Sequence, residues 1–130
     1  MLATEKAVVP SSRCMTPVQI RITADDFGWT RAQNKAAEQA ASAGTLTHAA
    51  LLMNGYAVQD AADVAARVPQ LGVGVHLTLC EGVPLGDPAA LPGLTKADGS
   101  FHDGLSPILA LYLRRSLPLV AIEREWQTQI

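Results

Sequence analysis

Three segments of the chain have the hydrophobic and polar pattern of β-strands. Val18, Ile20 and Ile22 alternate with polar residues, which predicts a first strand with two different faces. Residues 46–53 are an apolar run of strand length, and residues 71–79 again have a strand pattern. The third segment is expected to pack one aliphatic face under helices and to carry small and polar residues on the other. The first face comprises Val73, Val75, Leu77 and Leu79, and the second comprises Gly72, Gly74, His76 and Thr78.

Helical periodicity fills the intervals between these strands. Thr30 and Gln33 form a capping box, and Gly44 marks a C-terminal stop. A second helix is predicted over about residues 56–68, which argues against a hairpin at the preceding Asn-Gly pair. Strands that alternate with helices through short connections indicate a parallel α/β sheet with right-handed crossovers. The small residues at helical spacing in the first helix are Ala32, Ala36, Ala37 and Ala40.

The remaining segments differ from this repeating order. Residues 81–104 have no periodicity and are rich in proline and glycine; loops of this length are often functional. A short helix is predicted over residues 106–115, followed by a final helix after Pro118. Residues 1–17 have no pattern and are predicted to be a disordered leader. In the final helix, one face is expected to carry Leu119, Ile122, Trp126 and Ile130.

Composition narrows the class of protein. Apolar residues make up 48% of the 130 residues and charged residues 17%, which is typical of a folded globule and unlike a disordered chain. The net charge of −2 gives no basic excess for a phosphate backbone, so a nucleic-acid partner is disfavoured. No apolar stretch reaches the roughly 18 residues of a membrane span. The two cysteines fit a reducing compartment, and we expect a cytoplasmic protein.

Three side chains are candidates for chemistry at one end of the predicted sheet. Asp25 and Asp26 end the first strand and His76 lies near the end of the third, and the carboxyl ends of parallel strands meet at one edge. A divalent metal held by one carboxylate and the imidazole, with the other carboxylate as a base, would account for all three. The alternative is equally compatible with the spacing: Asp25 caps a turn, Asp26 faces water and His76 is a structural histidine.

Several short motifs in the same order resemble one family. They are residues 23–28 (TADDFG), Asn34, 44–47 (GTLT), 51–54 (LLMN), 72–79 (GVGVHLTL), 81–84 (EGVP) and 98–101 (DGSF). Together they resemble the YdjC-like carbohydrate deacetylases (ChbG/HpnK type) over residues 18–130. The ADDFG and GVGVHLTL segments carry most of the specificity.

This resemblance implies a distorted β/α barrel that removes acetyl groups from N-acetylated sugars with a divalent cation, Mg²⁺ or Zn²⁺. It implies Asp25 as the base that activates water, and Asp26 and His76 as metal ligands. The long loop would lie over the sugar, where Phe101 either stacks on the ring or anchors the loop.

The resemblance covers only part of the family's pattern. That pattern continues into a histidine-rich strand of Asp-x-His-x-His type that supplies a third ligand, and a complete barrel needs about 250 residues. The sequence therefore matches roughly the N-terminal half of the barrel. With two ligands, we expect weak metal binding, little or no deacetylase activity and a tendency to self-associate.

Two alternatives remain beside the deacetylase. A phosphorylation receiver domain shares the length and the acidic pair, but it needs a phosphate-accepting Asp where this chain has His76. The second is a non-catalytic remnant or partner-binding half-barrel with the same ancestry, which the sequence alone does not exclude.

Overall fold

The computed structural model describes residues 18–130, so the predicted leader at residues 1–17 lies outside the described residues. Three parallel strands form one sheet in the order β1-β2-β3. The prediction of an α/β fold with a parallel sheet is confirmed. The elements in chain order are β1 (Thr23–Phe27), α1 (Arg31–Ser42), β2 (His48–Leu51), α2 (Val58–Arg67), β3 (Gly72–Val75), a short 3₁₀ helix (Pro88–Ala90), α3 (Ser106–Leu113) and α4 (Leu119–Gln129).

The first strand begins later than the alternating pattern predicts. Val18 and Ile20 precede β1 and are 87% and 73% exposed, so the strand predicted to start there is wrong in its boundary. Ile22 is the first residue held by the sheet, because its N–H donates to Thr47 Oγ1 at 2.8 Å. Alternation alone does not form a strand where no neighbouring strand or covering layer is present.

The predicted ends of the first helix are confirmed. Thr30 is the N-cap of α1, and its hydroxyl accepts a hydrogen bond from Gln33 N at 3.2 Å. Gly44 follows the helix with φ +74°, a left-handed conformation that glycine adopts without the steric cost of a Cβ.

Truncating this cap tests its contribution. We expect Thr30→Ala to lower the free energy of unfolding by about 1 kcal/mol, because the Gln33 N–H loses its acceptor. Urea denaturation measures the change. Thr128→Ala is the control, since that exposed hydroxyl only donates back to Arg124 O within α4; we expect its effect to stay within about 0.5 kcal/mol. Equal losses in the two variants would contradict the capping role.

The predicted alanine spacing matches the packed face of α1 in part, since Ala37 and Ala40 pack in the core. Asn34, Ala37 and Ala41 are buried, whereas Ala32 and Ala36 are exposed. The buried stripe packs in a core with residues of the sheet and of α2. The many alanines of this helix do not distinguish its faces, because they lie on both sides.

The aliphatic face of β3 is largely uncovered, contrary to the prediction that it packs under helices. Val73 and Val75 pair in register with Ala49 and Leu51 of β2, so they lie on the same face as the core residues. They are nevertheless 42% and 44% exposed. The reason is the placement of the helices: among residues 18–130, the core beside α1 and α2 contains Phe27 of β1 and Ala49 of β2 but neither Val73 nor Val75.

A second core lies under the long loop. Leu91, Leu94, Phe101 and Ile122 are buried together, and Phe101 is 0% exposed. The Phe101 N–H also donates to Gly82 O at 2.9 Å. Phe101 therefore anchors the loop, and a ring stacked on a ligand does not fit its burial.

The last helix begins after Pro118 as predicted, and Leu119, Ile122, Trp126 and Ile130 lie together along one apolar groove, which confirms the predicted shared face. Leu119, Trp126 and Ile130 remain 68%, 37% and 81% exposed. The residues buried beside Ile122 are instead Glu125 and Gln129. In the part of the chain described here, no helix has the length and apolar character needed to cross a membrane.

Candidate metal centre

The structure brings Asp26 and His76 together at the carboxyl edge of the sheet. His76 directly follows β3, and its N–H donates to Leu51 O at 2.8 Å, which continues the pairing with β2. Asp26 lies near the end of β1. Asp26 Oδ1 is 3.6 Å from His76 Nδ1, and Asp26 N donates to the same nitrogen at 3.3 Å. The close approach that the spacing predicted is present.

A local irregularity in β1 accompanies this approach. The register with β2 shifts between Ala24 and Phe27, and Asp26 has φ +56°. The left-handed region costs a residue with a Cβ roughly 1–2 kcal/mol. Such conformations persist where the surrounding structure holds them, and they are enriched at functional sites.

The pair fits two ligands of one small cation. Ligand atoms about 2.0–2.2 Å from a common ion lie roughly 3.0–3.5 Å apart, close to the observed 3.6 Å. In this structure His76 Nδ1 accepts a hydrogen bond from Asp26 N, so a cation bound at Nδ1 would take the place of that hydrogen bond. Among residues 18–130, no group of three His, Cys, Asp or Glu side chains is arranged to hold an ion. The described site therefore offers two ligands, and their role stays a prediction.

Asp25 is next to this pair but separate from it. Its side chain is exposed, and its carboxylate makes no hydrogen bond or ion pair with residues 18–130. A carboxylate without a fixed partner is available to accept a proton. Its predicted role as a base is compatible with this position and is not tested by it.

His48 lies at the opposite end of the sheet. It begins β2, its Nδ1 lies 2.9 Å from Thr47 Oγ1, and its ring covers Gly72 so closely that a Cβ there would come within 2.7 Å of it. The imidazole therefore packs against the start of β3, far along the strands from Asp26.

A cavity of about 220 Å³ adjoins the carboxylate of Asp26. Among residues 18–130, two acidic residues line it, Asp26 and Glu81, and no Lys or Arg does. Asn54 donates to Glu81 O at 3.2 Å, while its buried Oδ1 has no hydrogen-bond partner in the described structure. The arrangement suits neutral or cationic polar groups and disfavours anions. The lining residues are Asp26, Trp29, Leu52, Asn54, Thr78, Cys80 and Glu81.

Two features of the cavity wall bear on its chemistry. The pKa of the Cys80 thiol is raised, mainly by burial and to a smaller extent by the charge of Glu81, so the uncharged form is favoured. Trp29 packs against Tyr56 with ring centroids 4.8 Å apart. The wall thus combines an aromatic surface with polar groups, as small-molecule sites commonly do.

A buried amide holds the turn that follows Asp26. Asn34 is 0% exposed, and its Oδ1 accepts from Gly28 N at 2.8 Å. Its Nδ2 donates to Ala57 O at 3.0 Å and to Asp60 Oδ2 at 2.8 Å. Asn34 belongs to the family motifs, and this bonding gives it a physical role: it joins the turn after β1 to the start of α2.

A second buried amide holds the segment that follows His76, and sequence reasoning missed it. Gln129 Oε1 accepts from Thr78 N and Gln129 Nε2 donates to Thr78 O, both at 3.0 Å. Gln129 Nε2 also donates to Glu125 Oε1 at 2.8 Å. The available signal was the spacing of Ile122, Glu125 and Gln129 along one helical stripe, which an apolar criterion ignores.

These observations define an α/β protein with a parallel sheet and a carboxylate–imidazole pair at its carboxyl edge. Residues 19–130 match the family model described as YdjC-like protein. The chain belongs to the YdjC-like family.

Curated relatives of this chain are named as deacetylases. It is 36% identical over 110 residues to a chitooligosaccharide deacetylase of Citrobacter koseri, covering 83% of this chain and 40% of the relative. It is 33% identical over 114 residues to a carbohydrate deacetylase of Oceanobacillus iheyensis, covering 87% of this chain and 46% of the relative. The chain thus spans less than half the length of these relatives.

A solved structure is similar over the same region. A protein of Enterococcus faecalis described as a cellobiose-phosphate cleavage protein superimposes with a TM-score of 0.72 at 28% identity. The match covers 85% of this chain and 41% of that protein.

Proposed function

We propose that this chain carries the metal-binding part of a hydrolase that removes acetyl groups from N-acetylated sugars. The observation that supports this most directly is the 3.6 Å approach of Asp26 Oδ1 to His76 Nδ1. The names of the curated relatives support the class of reaction and a carbohydrate substrate.

Asp26 and His76 are the proposed ligands of a divalent cation, Mg²⁺ or Zn²⁺. When bound, such an ion supplies a Lewis acid that polarises an acetamide carbonyl. Asp25 accepts a proton from the attacking water, and the resulting hydroxide adds to the carbonyl carbon. The C–N bond then breaks as Asp25 passes the proton to the leaving nitrogen, which gives a free amine and acetic acid, and the acid ionises to acetate.

The cavity beside Asp26 is the proposed place of the sugar. Its polar groups suit hydroxyl and amide substituents, and Trp29 offers an aromatic surface. The carboxylates of Asp26 and Glu81 also favour the ammonium group of the deacetylated product over an anionic substituent.

Further β/α units are proposed to complete the sheet into a distorted barrel. The outer edge of β3 and the exposed side chains of Val73, Val75 and Leu77 offer a surface for another parallel strand. An almost wholly apolar groove of about 590 Å³ continues this surface between the end of β3 and α4. Where such units are lacking, the same surface favours self-association, and the two ligands bind metal weakly. Residues along the groove include Leu77, Leu79, Ile108, Leu117, Trp126 and Ile130.

Metal titration of the purified chain tests the proposed ligands. We expect weak binding of Zn²⁺ or Co²⁺ with one ion per chain, and a loss of affinity of at least about tenfold in His76→Gln. His48→Gln is the matched control, because it removes an imidazole at the other end of the sheet, and it should bind like the wild type. Equal affinities of His76→Gln and wild type would contradict the assignment.

Two assays on the same protein separate the candidate functions. Acetate release from N-acetylated chito-oligosaccharides should be slow and should depend on His76. Metal binding without any acetate release would identify a non-catalytic relative of the deacetylases. Incubation with acetyl phosphate should leave the intact mass unchanged, whereas a receiver domain would gain a phosphoryl group.

A further inference from the structure

The side-chain amide of Gln129 bonds both backbone groups of Thr78, three residues beyond the end of β3. Thr78 N donates to Gln129 Oε1 and Thr78 O accepts from Gln129 Nε2, both at 3.0 Å. Gln129 is 1% exposed, so water does not compete for these bonds.

A buried carboxylate fixes the orientation of that amide. Glu125 is 2% exposed, and its Oε1 accepts from Gln129 Nε2 at 2.8 Å. Its two oxygens also accept from Leu85 N at 3.0 Å and from Gly86 N at 2.8 Å. Because a carboxylate only accepts, the NH₂ group of Gln129 must face Glu125 and its oxygen must face Thr78 N.

The backbone on both sides of the His76 imidazole is held by hydrogen bonds. On one side, the His76 N–H donates to Leu51 O of β2 at 2.8 Å. Two residues further on, Thr78 is held by Gln129 of α4. The backbone that carries the imidazole is therefore fixed before and after it, which limits how far Nδ1 can move from Asp26.

We propose that Gln129 is a positioning residue that holds His76 against Asp26. It touches neither the imidazole nor the cavity and acts through the backbone of Thr78. Its effect on metal binding rests on the proposed function, whereas its effect on the geometry of His76 does not.

Gln129→Met tests this role, because methionine has nearly the same length and removes only the hydrogen bonds. Gln127→Met is the matched control on the exposed side of the same helix. Hydrogen exchange of the Asp26 amide, which donates to His76 Nδ1, reports whether the imidazole stays in place. The Leu52 amide, which donates to Phe27 O at 2.7 Å, is the internal reference for general loosening of the sheet.

We expect Gln129→Met to speed exchange at Asp26 by about fivefold while Leu52 is unchanged, because both hydrogen bonds that hold Thr78 to α4 are lost. Metal affinity should fall about tenfold, as is typical when a group that orients a ligand is removed. Gln127→Met should change neither quantity. If Gln129→Met does not fold, Gln129→Asn, which is too short to bond both atoms of Thr78, is measured in the same way.

Acceleration of Asp26 and Leu52 by the same factor would show a purely structural role and overturn the proposal. The proposal would also be overturned if the Asp26 amide exchanged at the same rate in Gln129→Met as in Gln127→Met. Selective acceleration at Asp26 in a chain that binds no metal would support the positioning role and refute the proposed function.

Discussion

Asp25→Asn is expected to abolish most deacetylation while leaving metal affinity within about twofold of the wild type. Asp25 is exposed and lies outside the 3.6 Å pair of Asp26 and His76, so its loss removes a proton acceptor and not a ligand. A general base contributes roughly 10²–10⁴-fold to a rate, and we expect a loss in kcat of that size. Because this chain is expected to turn over slowly, the rate is measured in parallel in a full-length relative.

Asp26→Asn is the matched variant, and unlike Asp25→Asn it should weaken metal binding. Asparagine tolerates the left-handed region better than most residues, so the backbone at φ +56° is retained and only the negative charge is lost. We expect the affinity for Zn²⁺ or Co²⁺ to fall by at least about tenfold, with activity lost as well. Equal loss of metal in Asp25→Asn and Asp26→Asn would contradict the separate roles of the two carboxylates.

The order of elements was predictable because it depends on local chemistry. The hydroxyl of Thr30 and the amide of Gln33 meet across one turn of helix, and glycine at position 44 removes a local steric cost. Periodicity therefore predicted α1, α2 and three parallel strands. Periodicity failed where burial depends on distant neighbours: Val18 and Ile20 alternate like a strand, but residues 18–130 place no layer over them.

The buried polar residues were not predictable from an apolar pattern. Asn34 and Gln129 are buried because each bonds a backbone segment far away in sequence, Gly28 and Thr78 respectively. Nothing in the sequence around Gln129 indicates such a partner, and the family motifs that include Asn34 give no physical reason for it. Both amides bond the backbone two residues beyond a candidate ligand, Asp26 in one case and His76 in the other.

The candidate site was predictable in position but not in detail. Parallel strands align their carboxyl ends, which places Asp26 near His76 once the strand order is known. The register shift and the positive φ of Asp26 depend on pairing with β2, which local propensity does not encode.

Gly55 shows a different limit of prediction from sequence. Glycine is required there because the backbone of Gly28 lies close to it, and not because of the φ of Gly55 itself. The Asn-Gly pair marks a turn after β2, and this turn lies directly against the turn after β1. A Cβ at position 55 would overlap Gly28 O and would lie 2.6 Å from Gly28 C and 3.0 Å from Trp29 N. All three are backbone atoms, which cannot rotate away as the end of a side chain can.

Gly55→Ala is therefore expected to lower the free energy of unfolding by at least about 3 kcal/mol, at the upper end of the effect of overpacking. Two other Gly→Ala variants separate the possible causes. Gly74 has open space around it and no positive φ, so its change should stay within about 0.5 kcal/mol. Gly44 has open space but φ +74°, so it should lose about 1 kcal/mol from backbone strain alone. Urea denaturation of the three variants gives the order Gly55, Gly44, Gly74. A loss at Gly55 no larger than that at Gly44 would show that the two turns can separate, and that their contact does not hold the segment following Asp26.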